Sequence, residues 1–176
     1  MHVYRFRMFK VDQEDFIRDF DIKANQTFKD LHDVIHNTTK FNGKELSSFY
    51  ICNQNWKKLK EITLIDMNDE ISEDDEEEKV ESKPKTTVMD QARIKDFIDD
   101  PHQRLIYEYD FLNPQTFYME LTKVISAENN INYPLCSNRK GDLEIKPVTV
   151  PDLNMDDMAE ESLNDYSDYL NEDIEL

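Results

Sequence analysis

Thr27-Phe28-Lys29-Asp30-Leu31-His32-Asp33-Val34-Ile35-His36 decides how this chain folds. Thr27 is placed to cap a first turn, and Asp30 three residues later completes a short capping box. Phe28, Leu31 and Ile35 recur at spacings of three and four, with Val34 beside them, which is one apolar stripe on a 3.6-residue repeat. Asp30 and Asp33 sit in the first turns, where the helix dipole favours negative charge. The pattern fades at Asn37-Thr38-Thr39, and Asn42-Gly43 supplies a turn. The stretch predicts one amphipathic helix with a single buried face.

Two alternating runs precede the helix. Val3–Phe9 sets Tyr4, Phe6 and Met8 against Arg5 and Arg7. Phe16–Lys23 sets Phe16, Phe20 and Ile22 against Asp19, Asp21 and Lys23. Both read as half-buried strands, joined through Asp12-Gln13-Glu14-Asp15 into an antiparallel hairpin. Ser47–Cys52 and Glu61–Asp66 read as two more strands. A second helix is expected from Met89, with Ala92, Ile94, Phe97 and Ile98 apolar and Pro101 as its stop. Arg104–Phe111 and Phe117–Ile125, turned at Asn113-Pro114, form the most apolar hairpin and the expected centre of the sheet. A short edge strand is expected near Leu143–Ile145. The fold class is therefore α+β, a mixed or antiparallel sheet of about six strands with two main helices. Two hairpins around one helix make the first half β-grasp-like, an analogy that carries no function.

Charge divides the chain further. The 176 residues carry a net charge of −18, with 38% hydrophobic residues. Residues 1–67 are at +1 and 82–150 at −1, while 68–81 hold −8 and 151–176 hold −10 with no basic residue. The expected organisation is a domain over 1–150, interrupted by an acidic flexible insert at 68–85, and an acidic tail at 151–176 that is disordered or loosely docked. Acidity of this kind argues against direct nucleic-acid binding, which needs clustered Lys and Arg. No apolar run approaches the about 18 residues of a membrane span. Met1–Lys10 has no signal-peptide core, so the chain is expected to be cytoplasmic with Cys52 and Cys136 as reduced thiols.

Several segments together resemble a known family. Tyr4-Arg5-Phe6-Arg7, Asp30-Leu31-His32-Asp33-Val34-Ile35, the Glu61–Met67 run and Tyr107-Glu108-Tyr109-Asp110-Phe111 follow in order at suitable spacing. Over roughly residues 1–136 the chain resembles the Ri-plasmid (pRiA4b) ORF-three-like proteins, in the form found in Bacteroidetes-type bacteria. The resemblance implies a compact cytoplasmic α+β domain with no established activity. The chain departs from the family in three places, one being that Tyr133-Pro134-Leu135-Cys136 is present without the Cys- and Pro-rich segment that follows it in many relatives. Asp110-Phe111 is followed by Leu112-Asn113-Pro114 instead of Gly-Asp, and the next strand offers Phe117 and Tyr118 where the family has Trp and His.

Little in the chain suggests catalysis. His32 and His36 stand at i and i+4 with Asp33 beside the first. Metalloproteases use this spacing because both imidazoles then face one metal and an adjacent Glu activates water. Here the acid is one methylene shorter and no third ligand stands out, so a structural His pair is the plainer reading. Gly43 and Gly141 are the only glycines, which excludes Gly-rich phosphate loops, and no cofactor is expected. Asp110 ends a strand at a turn and reads as a turn cap. The tail repeats apolar residues between acids, among them Tyr166, Tyr169, Leu170 and Ile174. Such alternation folds into a partner's groove or docks on its own domain, and spacing does not distinguish the two. The function read from sequence is a non-enzymatic protein-interaction module with a protein partner. The alternatives are a metal-dependent hydrolase using His32 and His36 and, more weakly, an acidic mimic of nucleic acid.

Overall fold

Helix α1, Phe28–Thr39, forms around the capping box that its sequence encodes. The Asp30 N–H donates to Thr27 Oγ1 at 3.2 Å, and the Thr27 N–H donates to the Asp30 carboxylate at 2.8 Å. The next two donors find partners far along the chain. Phe28 N–H donates to the Ala92 carbonyl at 2.9 Å and Lys29 N–H to the Met89 carbonyl at 3.0 Å. The helix outlasts its apolar pattern. Thr38 and Thr39 are still helical, with their hydroxyls donating back to the carbonyls of Val34 and Ile35. Lys40 ends it in the left-handed region at φ 60°. These features belong to a computed structural model, which describes residues 1–41, 45–66 and 87–145. All of these lie in one unit, Met1–Ile145.

Among the described residues eight strands form one mixed sheet. They are β1 (His2–Lys10), β2 (Gln13–Lys23), β3 (Ser47–Cys52), β4 (Lys58–Thr63), β5 (Thr87–Val88), β6 (Arg104–Tyr109), β7 (Gln115–Ser126) and β8 (Leu135–Lys140). Their spatial order is β5-β4-β3-β6-β7-β1-β2-β8. Every pairing is antiparallel except that of β4 with β5. The apolar hairpin β6–β7 does stand at the centre, between the two hairpins that flank α1. Phe6, Phe20, Phe49, Tyr107, Phe117 and Met119 are fully buried in the cluster that holds Phe28, Leu31 and Ile35 of α1. Burying each of those helical side chains is worth about 1.5–3 kcal/mol.

No described helix covers the opposite face, which solves its burial with ion pairs and aromatic rings. Arg5 and Arg7 reach across to Asp21 and Asp19 as two-pronged forks at 2.7–3.0 Å, and both aspartates are buried. Burial by itself pushes Asp19 up, yet the hydrogen bonds from Arg7 and Asn138 hold it below the usual carboxylate range. Further along, Trp56 closes over Phe9 and Tyr118 with Arg104 against its ring.

Three expectations change. The sheet has eight strands where about six were expected, and the described residues hold one α-helix where two were expected. The segment after Met89 makes a turn and a short 3-10 helix at Ile94–Phe97. Its backbone is committed elsewhere: Met89 and Ala92 give their carbonyls to α1, and the N–H groups of Ile94 and Lys95 donate to Gln26 and Ala24. The last strand is Leu135–Lys140, not Leu143–Ile145, because pairing with β2 rests on backbone and polar side chains. Ser137 and Asn138 donate to Asp21 and Asp19. The predicted acidic insert at 68–85 and tail at 151–176 lie outside the described residues. Among those described, no helix is long and apolar enough to cross a membrane.

Replacing Thr27 with Ala removes one half of the capping box and is expected to cost about 1 kcal/mol of stability. Urea unfolding of Thr27→Ala beside the parent checks this, and an unchanged midpoint would show that the carbonyls of Met89 and Ala92 alone hold the helix start.

Candidate functional site

The two histidines do come together, on the buried side of α1. Their rings lie 4.0 Å apart between centroids. What they face is the hydroxyl of Tyr107 from the central strand β6. It sits 3.0 Å from His32 Nδ1 and 3.1 Å from His36 Nε2. Ser47 Oγ, from the first residue of β3, lies 3.1 Å from the same His32 nitrogen. Four polar side chains thus share one small volume inside an aromatic core.

Proton counting constrains this group. Tyr107 has one proton and two imidazole neighbours. When it donates to His32 Nδ1, His36 Nε2–H must donate to the phenol oxygen. In the reverse arrangement His32 Nδ1–H donates and Tyr107 donates to His36. Both forms are neutral, and passing from one to the other also requires His32 to release its Nε2 proton and His36 to take one up at Nδ1. Burial enforces that neutrality. His32, only 5% exposed, is pushed down to about 3 by desolvation, helped by the His36 and Lys29 charges. His36 is lowered chiefly by burial, and Tyr107 is raised by burial.

This geometry directs the nitrogens at a phenol, where a metalloprotease directs them at an ion. Among the described residues no group of three or more His, Cys, Asp or Glu converges to hold a metal. His102 lies beside Glu120 on the opposite face, away from this pair. Cys52 and Cys136 are free thiols. Tyr166, Tyr169, Leu170 and Ile174 lie outside the described residues. Asp110 is a turn cap: at φ 61° its Oδ1 accepts from the N–H groups of Leu112 at 3.0 Å and Asn113 at 3.1 Å.

The sequence reading missed Tyr107 and Ser47 as site residues. A hydroxyl inside the stripe Leu105, Tyr107, Tyr109 was the available signal, since a buried phenol needs a partner. It also missed a cleft of about 270 Å³ beside the network, lined by Lys40, Phe41, Tyr109, Asp110 and Gln115 among others. Phe41 and Tyr109 stack at 4.0 Å and each meets the His36 ring edge-on, so they form the partition between cleft and network.

An α-helix on one face of a mixed antiparallel sheet, with a neutral His–Tyr–His group beneath it, defines the class of protein by structure. The chain belongs to the plasmid pRiA4b ORF-3-like protein family, whose model matches residues 3–148. It is similar in fold to a crystal structure of a protein of unknown function from Methanosarcina mazei Go1, at 20% identity and a TM-score of 0.62, over 99% of this chain and 91% of that one. No curated protein matches the chain.

The histidines give stability a definite pH dependence. Below the ordinary His value of 6.5 the unfolded chain takes up a proton that folded His32 refuses until about pH 3. Stability therefore falls as pH drops through that window, by up to ~1.4 kcal/mol per pH unit from His32, with His36 adding the same sign. The stability advantage of the parent over His32→Asn is expected to shrink between about pH 7 and about pH 5. A gap that stays constant in urea titrations would mean that His32 is charged in the fold.

Proposed function

We propose that this domain is a non-enzymatic protein-interaction module that engages its partner through the end of the sheet bearing the β1–β2 and β6–β7 turns. The observation that carries this reading is Leu112, 91% exposed at the tip of the β6–β7 turn. Turns ordinarily present polar residues to water. Here Val11 at 69% and Phe111 at 42% stand at the same end, with Leu46 and Ile145 also exposed there. Leu46 is placed by its carbonyl, which accepts from Asp110 N–H, and the Ile145 end by the Gln13–Glu144 hydrogen bonds. A hollow of about 300 Å³ separates Val11 from Pro114. Clustered exposed apolar side chains mark interaction sites on soluble domains.

The turn is also preorganised. Asp110 accepts two backbone N–H groups, so Leu112 is held without the entropy cost of ordering a loop on binding. A projecting leucine of this kind suits a folded partner with an apolar pocket, where a buried anchor dominates affinity. The acidic tail at 151–176, with Tyr166, Tyr169, Leu170 and Ile174, extends the same reading as a second contact. The hydrolase alternative draws no support from a phenol-bonded His pair, and the nucleic-acid mimic rests on charge outside the described residues.

Photo-crosslinking from position 46, exposed at the same end, in cells of the source tests the surface around the turn. One partner band is expected, lost in both Leu112→Asp and Val11→Asp, while stability moves by no more than about 0.5 kcal/mol. A band that persists in both variants, or a crosslink only to a second copy of this chain, would overturn the reading. Deleting residues 152–176 is expected to weaken the same complex, and an unaffected complex would remove the tail from the proposal.

A further inference from the structure

The cleft beside the His–Tyr–His network carries chemistry that the interaction reading does not use. Gln115, the first residue of β7, lines it and is 5% exposed. Its Oε1 is buried and has no hydrogen-bond partner. Turning the amide over does not cure this. Nε2 faces the Asn113 backbone carbonyl at 3.3 Å and Asn113 Oδ1 at 3.4 Å, so the flipped amide sets its oxygen against a backbone carbonyl that can only accept. A buried carbonyl left unpaired in this way calls for a donor from outside the chain.

Three other groups define what that donor belongs to. Asp110 lines the cleft as a carboxylate whose Oδ1 serves the turn. Lys40 lines it as a cation, held at the rim by the left-handed cap of α1. Phe41 and Tyr109 supply a stacked aromatic wall, with Ile145 nearby. One cleft therefore offers an acceptor pair for an N–H-bearing cation, a cation for a carboxylate, and an apolar wall. Its volume of about 270 Å³ suits a ligand of roughly ten heavy atoms.

We infer that this cleft binds a free α-amino acid with an apolar or aromatic side chain. The α-ammonium donates to Gln115 Oε1 and meets the Asp110 carboxylate. The α-carboxylate meets Lys40, and the side chain lies against Phe41 and Tyr109. The charged side chains that line the cleft are Lys40, Asp110 and Glu45, so the ammonium faces the acidic part of the lining and the carboxylate faces Lys40. The site is independent of the partner contact at Leu112, and either stands if the other fails.

The test is calorimetric titration of the whole chain with L-leucine and L-phenylalanine. Saturable binding of at least one is expected. N-acetyl-L-phenylalanine, which lacks the ammonium, and L-phenylalaninamide, which lacks the carboxylate, are each expected to bind about tenfold more weakly than L-phenylalanine. Gln115→Leu is expected to weaken the amino acid by about tenfold. Lys40→Gly, which suits the left-handed backbone and lies on the surface, is expected to weaken L-phenylalanine while leaving L-phenylalaninamide unchanged. Leu112→Asp should bind as the parent does, which separates this site from the partner surface. Absence of saturable binding by both amino acids, equal binding of the acetylated compound, or a Lys40→Gly variant that loses both ligands equally would overturn the assignment.

Discussion

The first turn of α1 is the constraint on which the remaining structure depends. A helix start exposes N–H groups that must find acceptors. Thr27 and Asp30 satisfy two of them locally, and the carbonyls of Met89 and Ala92 satisfy two more. Met89 in turn donates to the Thr63 carbonyl at the end of β4, while Ile94 and Lys95 donate to the β2–α1 connection. Residues 87–97 thus act as a strap that joins the helix start to the sheet edge. Through it β4 and β5 run side by side, with Thr63 opposite Val88. The two ends of the intervening stretch are thereby fixed by the domain. Loop-closure entropy rises only slowly with length, so an insert at this point costs the domain little.

That strap also explains where the sequence was legible. The capping box, the α1 stripe and the alternation of β1, β2, β6 and β7 all depend on neighbours in the chain, and each is present in the fold. Ala92, Ile94 and Phe97 do pack as apolar residues, as their spacing suggested. What spacing could not reveal was that Met89 and Ala92 owed their carbonyls to another element, which leaves no backbone for a second long helix. β8 was hidden for a related reason. Leu-Cys-Ser-Asn-Arg-Lys lacks apolar alternation because this edge strand is held by its backbone and by Ser137 and Asn138 against the Asp21 and Asp19 carboxylates. Those carboxylates themselves alternate as a polar face should, yet they are buried because Arg5 and Arg7 lie over them. Of the site, the His pair was legible and its partner was not, since Tyr107 stands 71 residues away from His36.

The His–Tyr–His–Ser group has the energetics of a buried network that is satisfied or nearly so. A partly satisfied network costs more than an apolar core, whereas a complete one fixes a unique packing. Here Tyr107 links the central strand to α1, and Ser47 links β3 to the same imidazole. Sliding β6 by one residue would carry Tyr107 to the far face and strand both histidines. The group therefore specifies register across the middle of the sheet, a role that needs hydrogen bonds and no metal.

The proposed contacts lie elsewhere, at the end of the sheet where several local rules are broken together. Lys40 and Asp110 both hold left-handed backbones without being glycine, a conformation that non-glycine residues adopt only when surroundings over-determine it. Leu112, Val11 and Phe111 expose apolar surface on turns, and Gln115 buries an unanswered carbonyl between them and the core. The strain at Asp110 is offset by the two N–H groups its carboxylate accepts, whereas the exposed apolar side chains and the unpaired carbonyl cost stability. Elsewhere on this domain buried aspartates meet arginines and a buried phenol meets two imidazoles, while Ser48 Oγ and the Nε atoms of Arg18 and Arg104 are, like Gln115 Oε1, buried without a hydrogen-bond partner. What sets this end apart is that an unanswered acceptor, exposed apolar turn residues and an aromatic-walled cleft stand together there, which is the combination on which both proposals rest.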